Sequence, residues 1–314
     1  MSNNIHLVLA SDNNYAQHLG VTMVTILENN HLKSNIVFHI LENNLDQENK
    51  EKLKIIKDKY SCQLFFYNIQ EQEIKDFPDM GYVGKTAYLR LFIPQILPKN
   101  IDRVLYLDCD LIVLNDLKKL YQLELQGKSL AAIKDVKSED ILRIFFYPGI
   151  KKYFNSGVIL IDVNAWRAKN ITKKAIDFIT KYQKQITSSD QDVLNCLFIN
   201  DWLEIDKIYN LDLKHERINK LPSKDTVIFH YSDRIKPWSY LYTGKNKKYY
   251  FKYLSLTPWN NFKYSDKNLK NFFKKYKLAL LKTIKNLLRP LTPNRLIDWH
   301  KKRFLNKNIK NEKF

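Results

Sequence analysis

The feature that most constrains this chain is an alternation. Short apolar, β-rich runs are separated by stretches whose apolar residues recur at helical spacing. IHLVLAS (5–11) reads as a buried strand and is followed by a helical stretch over 15–28. NIVFHIL (35–41) reads as a second strand, followed by 45–60, where Leu53, Ile56 and Tyr60 fall on one helical face. CQLFFY (62–67) is a third strand, 86–96 a helix, and RVLYLDCD (103–110) a fourth strand. Strands alternating with helices of about 10–15 residues predict βαβ units and a mainly parallel sheet. Such a sheet binds ligands at the carboxyl ends of its strands. The residues to watch are therefore Ser11 to Tyr15, Asp108 to Asp110, Asp135 after LAAIK (130–134), and His230 after VIF (227–229).

Composition supports a folded body and sets the tail apart. Of 314 residues 45% are hydrophobic, with 19 Tyr and 17 Phe, which is ample core material. Residues 245–314 carry 20 Lys/Arg against 3 acidic residues, while 1–244 carry 32 against 30. A near-neutral body (1–244) and a basic helical C-terminal region (245–314) are expected. Cys62, Cys109 and Cys196 are scattered, which suits reduced thiols and offers neither a zinc site nor a disulfide framework. No secretory leader and no run long enough to cross a membrane is visible, so the expectation is an intracellular protein, soluble or surface-bound.

Asp108-Cys109-Asp110 interrupts the apolar run VLYLDCDLIVL. Two carboxylates there are costly to bury without compensation. Alternate strand residues face one way, so both could meet one cation, and oxygen ligands favour Mg²⁺ or Mn²⁺. A solvated turn between two strands is the competing reading. His230, in TVIFHYSDRIKPW, precedes Lys236 by six residues and could complete a Mn²⁺ shell while the ammonium meets phosphate. Asn155-Ser156-Gly157 and Asp190-Gln191-Asp192 are further polar clusters against apolar runs, and Asp190 also suits a helix N-cap. No GxGxxG occurs. Gly84-Lys85-Thr86 lacks the first P-loop glycine, because that position is Asp79.

In their order these clusters resemble the family 8 retaining glycosyltransferases, in particular the bacterial lipopolysaccharide galactosyl- and glucosyltransferases. The resemblance is carried by ASDNNYAQHLGVTMVTIL (10–27), TAYLRLFIPQILP (86–98), VLYLDCDLIV (104–113), YFNSGVILIDVNAWR (153–167), DQDVLN (190–195) and HYSDRIKPW (230–238). It implies a GT-A fold, Rossmann-like and mainly parallel, that takes a UDP-sugar donor with Mn²⁺ or Mg²⁺. Asp108, Asp110 and His230 would be the metal ligands. Ala10, Asp12, Asn14 and Tyr15 would hold uracil and ribose. Arg90, Asn155, Ser156, Asp190 and Gln191 would grip the donor sugar, Lys236 the diphosphate, and Asp135 would lie towards the acceptor. Arg90, Asp190, Gln191 and Lys236 would be the catalytic set. One position departs from the family: Asp233 stands where its final signature, His-x-x-Gly-x-x-Lys-Pro-Trp, has glycine. That implies either a displaced loop or an outward-pointing carboxylate.

The tail reads as an interfacial helix. In 268–288, Leu269, Phe272, Phe273, Tyr276, Leu280, Ile284, Leu287 and Leu288 form one stripe, with Lys270, Lys274, Lys275, Lys277, Lys282 and Lys285 beside it. Residues 268–306 are expected to hold the enzyme on the anionic inner face of the cell membrane, close to a lipid-linked glycan acceptor. The basic balance also fits a nucleic-acid footprint, but the body offers no nucleic-acid module, so no such partner is expected. An inactive UDP-sugar-binding homologue is the other alternative.

Overall fold

Strand β1 (Ile5–Asp12) is apolar on both faces because it is buried on both faces. The computed structural model describes residues 4–31, 33–79, 81, 84–135, 152–212 and 221–277. Helix α1 (Ala16–Asn29), β2 (Ile36–Asn43), α2 (Gln47–Tyr60) and β3 (Gln63–Asn68) follow β1 as two right-alternating βα steps. Asp46 caps α2 by accepting from the Asn49 N–H, and Ser61 ends it in the left-handed region at φ 54°. β4 (Arg103–Leu107), β6 (Leu130–Lys134), β7 (Phe154–Asp162) and β8 (Trp202–Glu204) complete a seven-stranded sheet, ordered β3-β2-β1-β4-β7-β6-β8. β5 (Leu111–Val113), β10 (Ile228–His230) and β9 (Leu211–Asp212) form a second sheet, ordered β5-β10-β9.

The large sheet is mainly parallel, but β7 runs antiparallel to both neighbours, β4 and β6. Side chains alternate across it. Leu7, Leu9, Phe38, Leu105 and Leu107 enter one core, with α1 and the small sheet, while Val8, Ala10, Val104 and Tyr106 enter the other. Each fully buried aliphatic side chain contributes about 1.5–3 kcal/mol. From β1 the chain builds outward through β2 and β3, then returns to place β4 on β1's other side. The sheet's switch point therefore lies between β1 and β4, where Asp12 and Asp108 emerge.

Two expectations are corrected here. The run 103–110 is not one strand: β4 stops at Leu107, a turn carries Asp108 to Asp110, and β5 leaves for the small sheet. Residues 86–96 are not one α-helix either. Lys85–Phe92 is 3₁₀, followed by a single α-turn over Ile93–Ile96. Ala87 to Phe92 are all buried, so this segment has no solvent face to give it an amphipathic helical period.

Beyond the compositional step at Gly244, Lys247–Leu254 forms a helix whose Tyr250, Tyr253 and Leu254 join the α1 core. The first compact unit runs to Trp238 and resumes over Tyr242–Phe262. A second comprises Ser239–Leu241 and the described residues from Lys263. Within the second unit Asp266 accepts from Ser239 Oγ at 2.6 Å and from the Tyr240 N–H at 2.8 Å. Asn268 caps a helix over 269–277 by accepting from the Asn271 N–H at 2.9 Å. Residues 278–306 of the expected membrane segment lie outside the described residues.

Candidate active site

The Asp108–Asp110 turn is pinned at three points along its own backbone. Asp108 N–H donates to Gly157 O and Tyr231 N–H to Asp110 O, each at 2.9 Å. From α1 the Thr22 hydroxyl lies 3.0 Å from Cys109 O and 3.1 Å from Leu111 O. The turn thus presents its two carboxylates to His230, the last residue of β10. His230 Nε2 lies 3.0 Å from Asp110 Oδ1 and 3.8 Å from Asp108 Oδ2. Ligand atoms of the three residues all fall within 4.8 Å of one another. The competing reading of Asp-x-Asp as a turn was right about its backbone, yet the turn points inward.

Cations balance these acids. Lys236 donates to Asp110 Oδ2 at 2.6 Å and to Tyr231 O at 2.7 Å. Burial opposes ionisation of Asp110, but Lys236 and then His230 overcome it and hold the carboxyl well below the usual range. The same contacts act on His230: burial disfavours its charge, yet Asp110 and Asp108 raise its pKa. Arg90 is buried between Asp108, whose Oδ1 accepts from it at 2.8 Å, and Asp190, with Nε 3.1 Å from Oδ2. Its Nε–H is directed to Ala87 O at 2.9 Å, so Asp190 Oδ2 accepts no hydrogen bond. Burial first, and Asp108 in addition, push the Asp190 carboxyl up to about 6 against the pull of Arg90.

A cavity of about 370 Å³ opens over this group. Ala10, Asp12, Asn14, Tyr15, Arg90, Asp108, Asp110, Asp135, Asn155, Ser156, Asp190, Gln191, His230 and Lys236 all line it. Asp12 caps the turn over Asn13–Tyr15 through the Tyr15 N–H at 3.0 Å, and its other oxygen accepts from the Thr86 hydroxyl at 3.1 Å. The Gln191 carbonyl accepts from the Ser156 N–H at 3.0 Å, which leaves its NH₂ towards Asp135 at 3.3 Å. Asp190 does not cap its helix. Ser188 occupies that position, Ser189 sits at φ 48°, and Asp192 accepts the Thr187 and Ser188 N–H groups at 2.7 and 2.8 Å. Asp233 is not among the lining residues; its carboxylate accepts from the Arg234 N–H at 2.7 Å.

Residues that the sequence did not single out complete the site. A Cβ on Gly157 would lie 2.3 Å from His230 Cε1 and 2.7 Å from Asp108 Oδ2, so only glycine leaves this space open. Gly157 was visible in the Asn-Ser-Gly cluster, but nothing in sequence tied it to His230. Thr86 and Asp212 also line the cavity, and Asn210 backs His230. Asn210 precedes β9 and Asp212 ends it; the alternation Asn-Leu-Asp stood in the sequence, but nothing there tied either residue to His230. Trp238, two residues after Lys236, stacks on buried His18 at 3.6 Å, and His18 Nδ1 lies 2.7 Å from the Tyr250 hydroxyl.

Two carboxylates and an imidazole around open space are a hard, oxygen-rich donor set that fits Mn²⁺ or Mg²⁺. The neighbouring ammonium and the polar walls suit an anionic, hydrogen-bonding ligand of nucleotide-sugar size.

Comparison with known proteins places the architecture. The galactosyltransferase LgtC, solved with donor and acceptor sugar analogs, superposes with a TM-score of 0.73 over 81% of this chain and 96% of its own, at 23% identity. That likeness establishes the GT-A fold. "General stress protein A" of Bacillus subtilis is 29% identical over 82% of this chain and 95% of its own. "Lipopolysaccharide 1,3-galactosyltransferase" of Salmonella typhimurium is 30% identical over 80% and 77%. "Lipopolysaccharide 1,2-glucosyltransferase" of Escherichia coli K12 is 28% identical over 88% and 86%. The model of the family described as "Glycosyl transferase family 8" matches residues 6–242, which contain every residue of the cavity. The chain belongs to this family of enzymes and is a glycosyltransferase.

Proposed function

We propose that this enzyme transfers a hexose, galactose or glucose, from a UDP-sugar to a glycan acceptor with retention of anomeric configuration, assisted by Mn²⁺ or Mg²⁺. The observation that carries the reading is the meeting of Asp108, Asp110, His230 and Lys236 in one cavity at the sheet's switch point. Asp108, Asp110 and His230 would hold the cation, which supplies positive charge against the diphosphate leaving group. Lys236 adds a point charge on the same oxygens. Its ammonium already neutralises Asp110, and a diphosphate would offer it a second anionic partner. Asp12, Asn14 and Tyr15 line the end suited to the nucleoside. Asp190 and Gln191 border the sugar end, where a carboxylate and an amide dipole support an oxocarbenium-like centre. Arg90 donates to Asp108 and to the Ala87 carbonyl and pairs with Asp190 by charge alone, so its guanidinium is engaged within the protein.

The acceptor reading is a lipopolysaccharide or lipooligosaccharide, supported by the names of two relatives and by the tail. In the second unit Leu269 and Phe273 are 78% and 67% exposed, with Phe272 and Tyr276 on the same face. Among the described residues no helix is long and apolar enough to cross a membrane. Peripheral attachment to an anionic leaflet, through apolar contact and Lys attraction, is the proposed location. The test is a UDP-sugar screen with mass detection of product, with Mn²⁺ and with EDTA. Turnover unchanged in EDTA would sink the metal-assisted reading, and no product from any UDP-hexose would sink the donor assignment.

A further inference from the structure

The hydrogen bonds behind His230 place a proton on its Nδ1, and the assignment starts from a backbone amide. The Gly157 N–H reaches the side chain of Asn155 at 3.0 Å. A backbone N–H only donates, so the atom it meets is the Asn155 oxygen, Oδ1. The atom of Asn210 that lies 2.8 Å from that same oxygen must then be its NH₂. The amide orientation of Asn210 is thereby set, and its Oδ1 faces His230 Nδ1 at 2.9 Å. An amide oxygen only accepts, so Nδ1 bears hydrogen. Asn210 is 0% exposed and so has no contact with bulk solvent.

We propose that Asn210 is a positioning residue that, with its orientation set through Asn155 and the Gly157 amide, holds the proton on His230 Nδ1 and reserves Nε2 for a cation shared with Asp108 and Asp110. The inference rests on the metal-assisted reading above. Its physical content is that of an outer hydrogen-bond partner: it fixes the imidazole's rotation and leaves the lone pair of the other nitrogen on the ligand side. The small sheet provides the frame. Asn210 leads into β9, and His230 on β10 pairs with Asp212 one step further along. The chain Gly157–Asn155–Asn210–His230 thus joins the large sheet to the small one through side-chain amides.

The test compares Mn²⁺ binding by the full-length protein without donor, read from the electron-spin resonance of free Mn²⁺. Asn210→Leu, similar in shape but with nothing to accept from Nδ1–H, should bind Mn²⁺ ~10–100-fold more weakly than wild type. Asn210→Asp keeps an acceptor on Nδ1–H and should bind nearly as tightly as wild type. A role confined to packing predicts the opposite order, because a buried carboxyl beside Asn155 fits worse than leucine; that order would overturn the proposal. A second measurement needs no Asn210 variant. In Mg²⁺-loaded wild-type protein with ¹⁵N-labelled histidines, and with His230→Asn to identify the signal, Nδ1 of His230 should carry a proton and Nε2 none. Without the cation both nitrogens face an acceptor, Asn210 Oδ1 and Asp110 Oδ1, so the cation-bound form is the one that discriminates. An unprotonated Nδ1 overturns the inference. Wild type that binds no Mn²⁺ despite a protonated Nδ1 would instead defeat the metal-assisted reading, and with it the ligand-holding role.

Discussion

Asp190 is a carboxyl kept from water with one oxygen unpaired, and that has a measurable sign. Its folded pKa, about 6, lies above the value near 3.8 of an exposed Asp. Between those values the folded protein holds a proton that the unfolded chain has released, so this group lowers stability as pH rises through about 4 to 6. The loss is of order 3 kcal/mol for a shift of this size. Asp190→Asn, which cannot titrate, should lack that loss. In chemical denaturation with EDTA, the stability of wild type minus mutant should therefore fall across the window; a difference that is flat in pH would refute the buried-acid account. At the cation group, Asp108→Asn and Asp110→Asn should each lower kcat/KM at least ~10²-fold. Gly157→Ala should destabilise by about 1–3 kcal/mol through overpacking, seen as a lower melting temperature, and should weaken Mn²⁺ binding as well. The Asp-Cys-Asp pair and His230 were legible in the sequence because polar groups inside apolar runs demand compensation. Gly157 and Asn210 were not, because their roles exist only once β7 and β9 lie beside His230.

At the level of elements, the apolar runs over 5–11 and 35–41 foretold β1 and β2, because central parallel strands are hydrophobic throughout, while 62–67 foretold β3, which lies at the sheet's edge and is buried only in part. The same continuity hid the break after Leu107, where an apolar run crosses from one sheet to another. Periodicity is silent on direction too, so the antiparallel course of β7 had no signature. The loop that carries Lys236 offers a test of its own. Trp238 is stacked on His18, whose buried imidazole is pushed down to about 3 and so stays neutral against the indole. Trp238 is only partly buried, so its removal should free the loop without unfolding the core. Trp238→Ala should weaken UDP binding about tenfold, roughly 1.4 kcal/mol, by calorimetric titration. An unchanged Kd would show that Lys236 is positioned without the stack.

For the whole molecule, the step in charge at Gly244 is not where the first compact unit ends, since Tyr250, Tyr253 and Leu254 belong to its core. Truncation after Ser265 spares those residues and tests the tail. It should abolish sedimentation with anionic vesicles at low salt while preserving UDP release, and binding that survives the cut would rule the tail out as anchor. Raising the salt should weaken attachment of the intact protein, since screening shortens the reach of each Lys.

The turn between β4 and β5 also bears on how such a chain can change over generations. Its three residues separate Leu107, which pairs with Val158 in one sheet, from Leu111, which pairs with His230 in the other. Adding or deleting a residue there would invert the facing of a strand and move an acid off the cation group in the same event. Point substitutions can be sampled one chemistry at a time, but a change of length cannot. Selection for catalysis and selection for foldability therefore guard the same three codons, and inherited insertions and deletions must accumulate elsewhere.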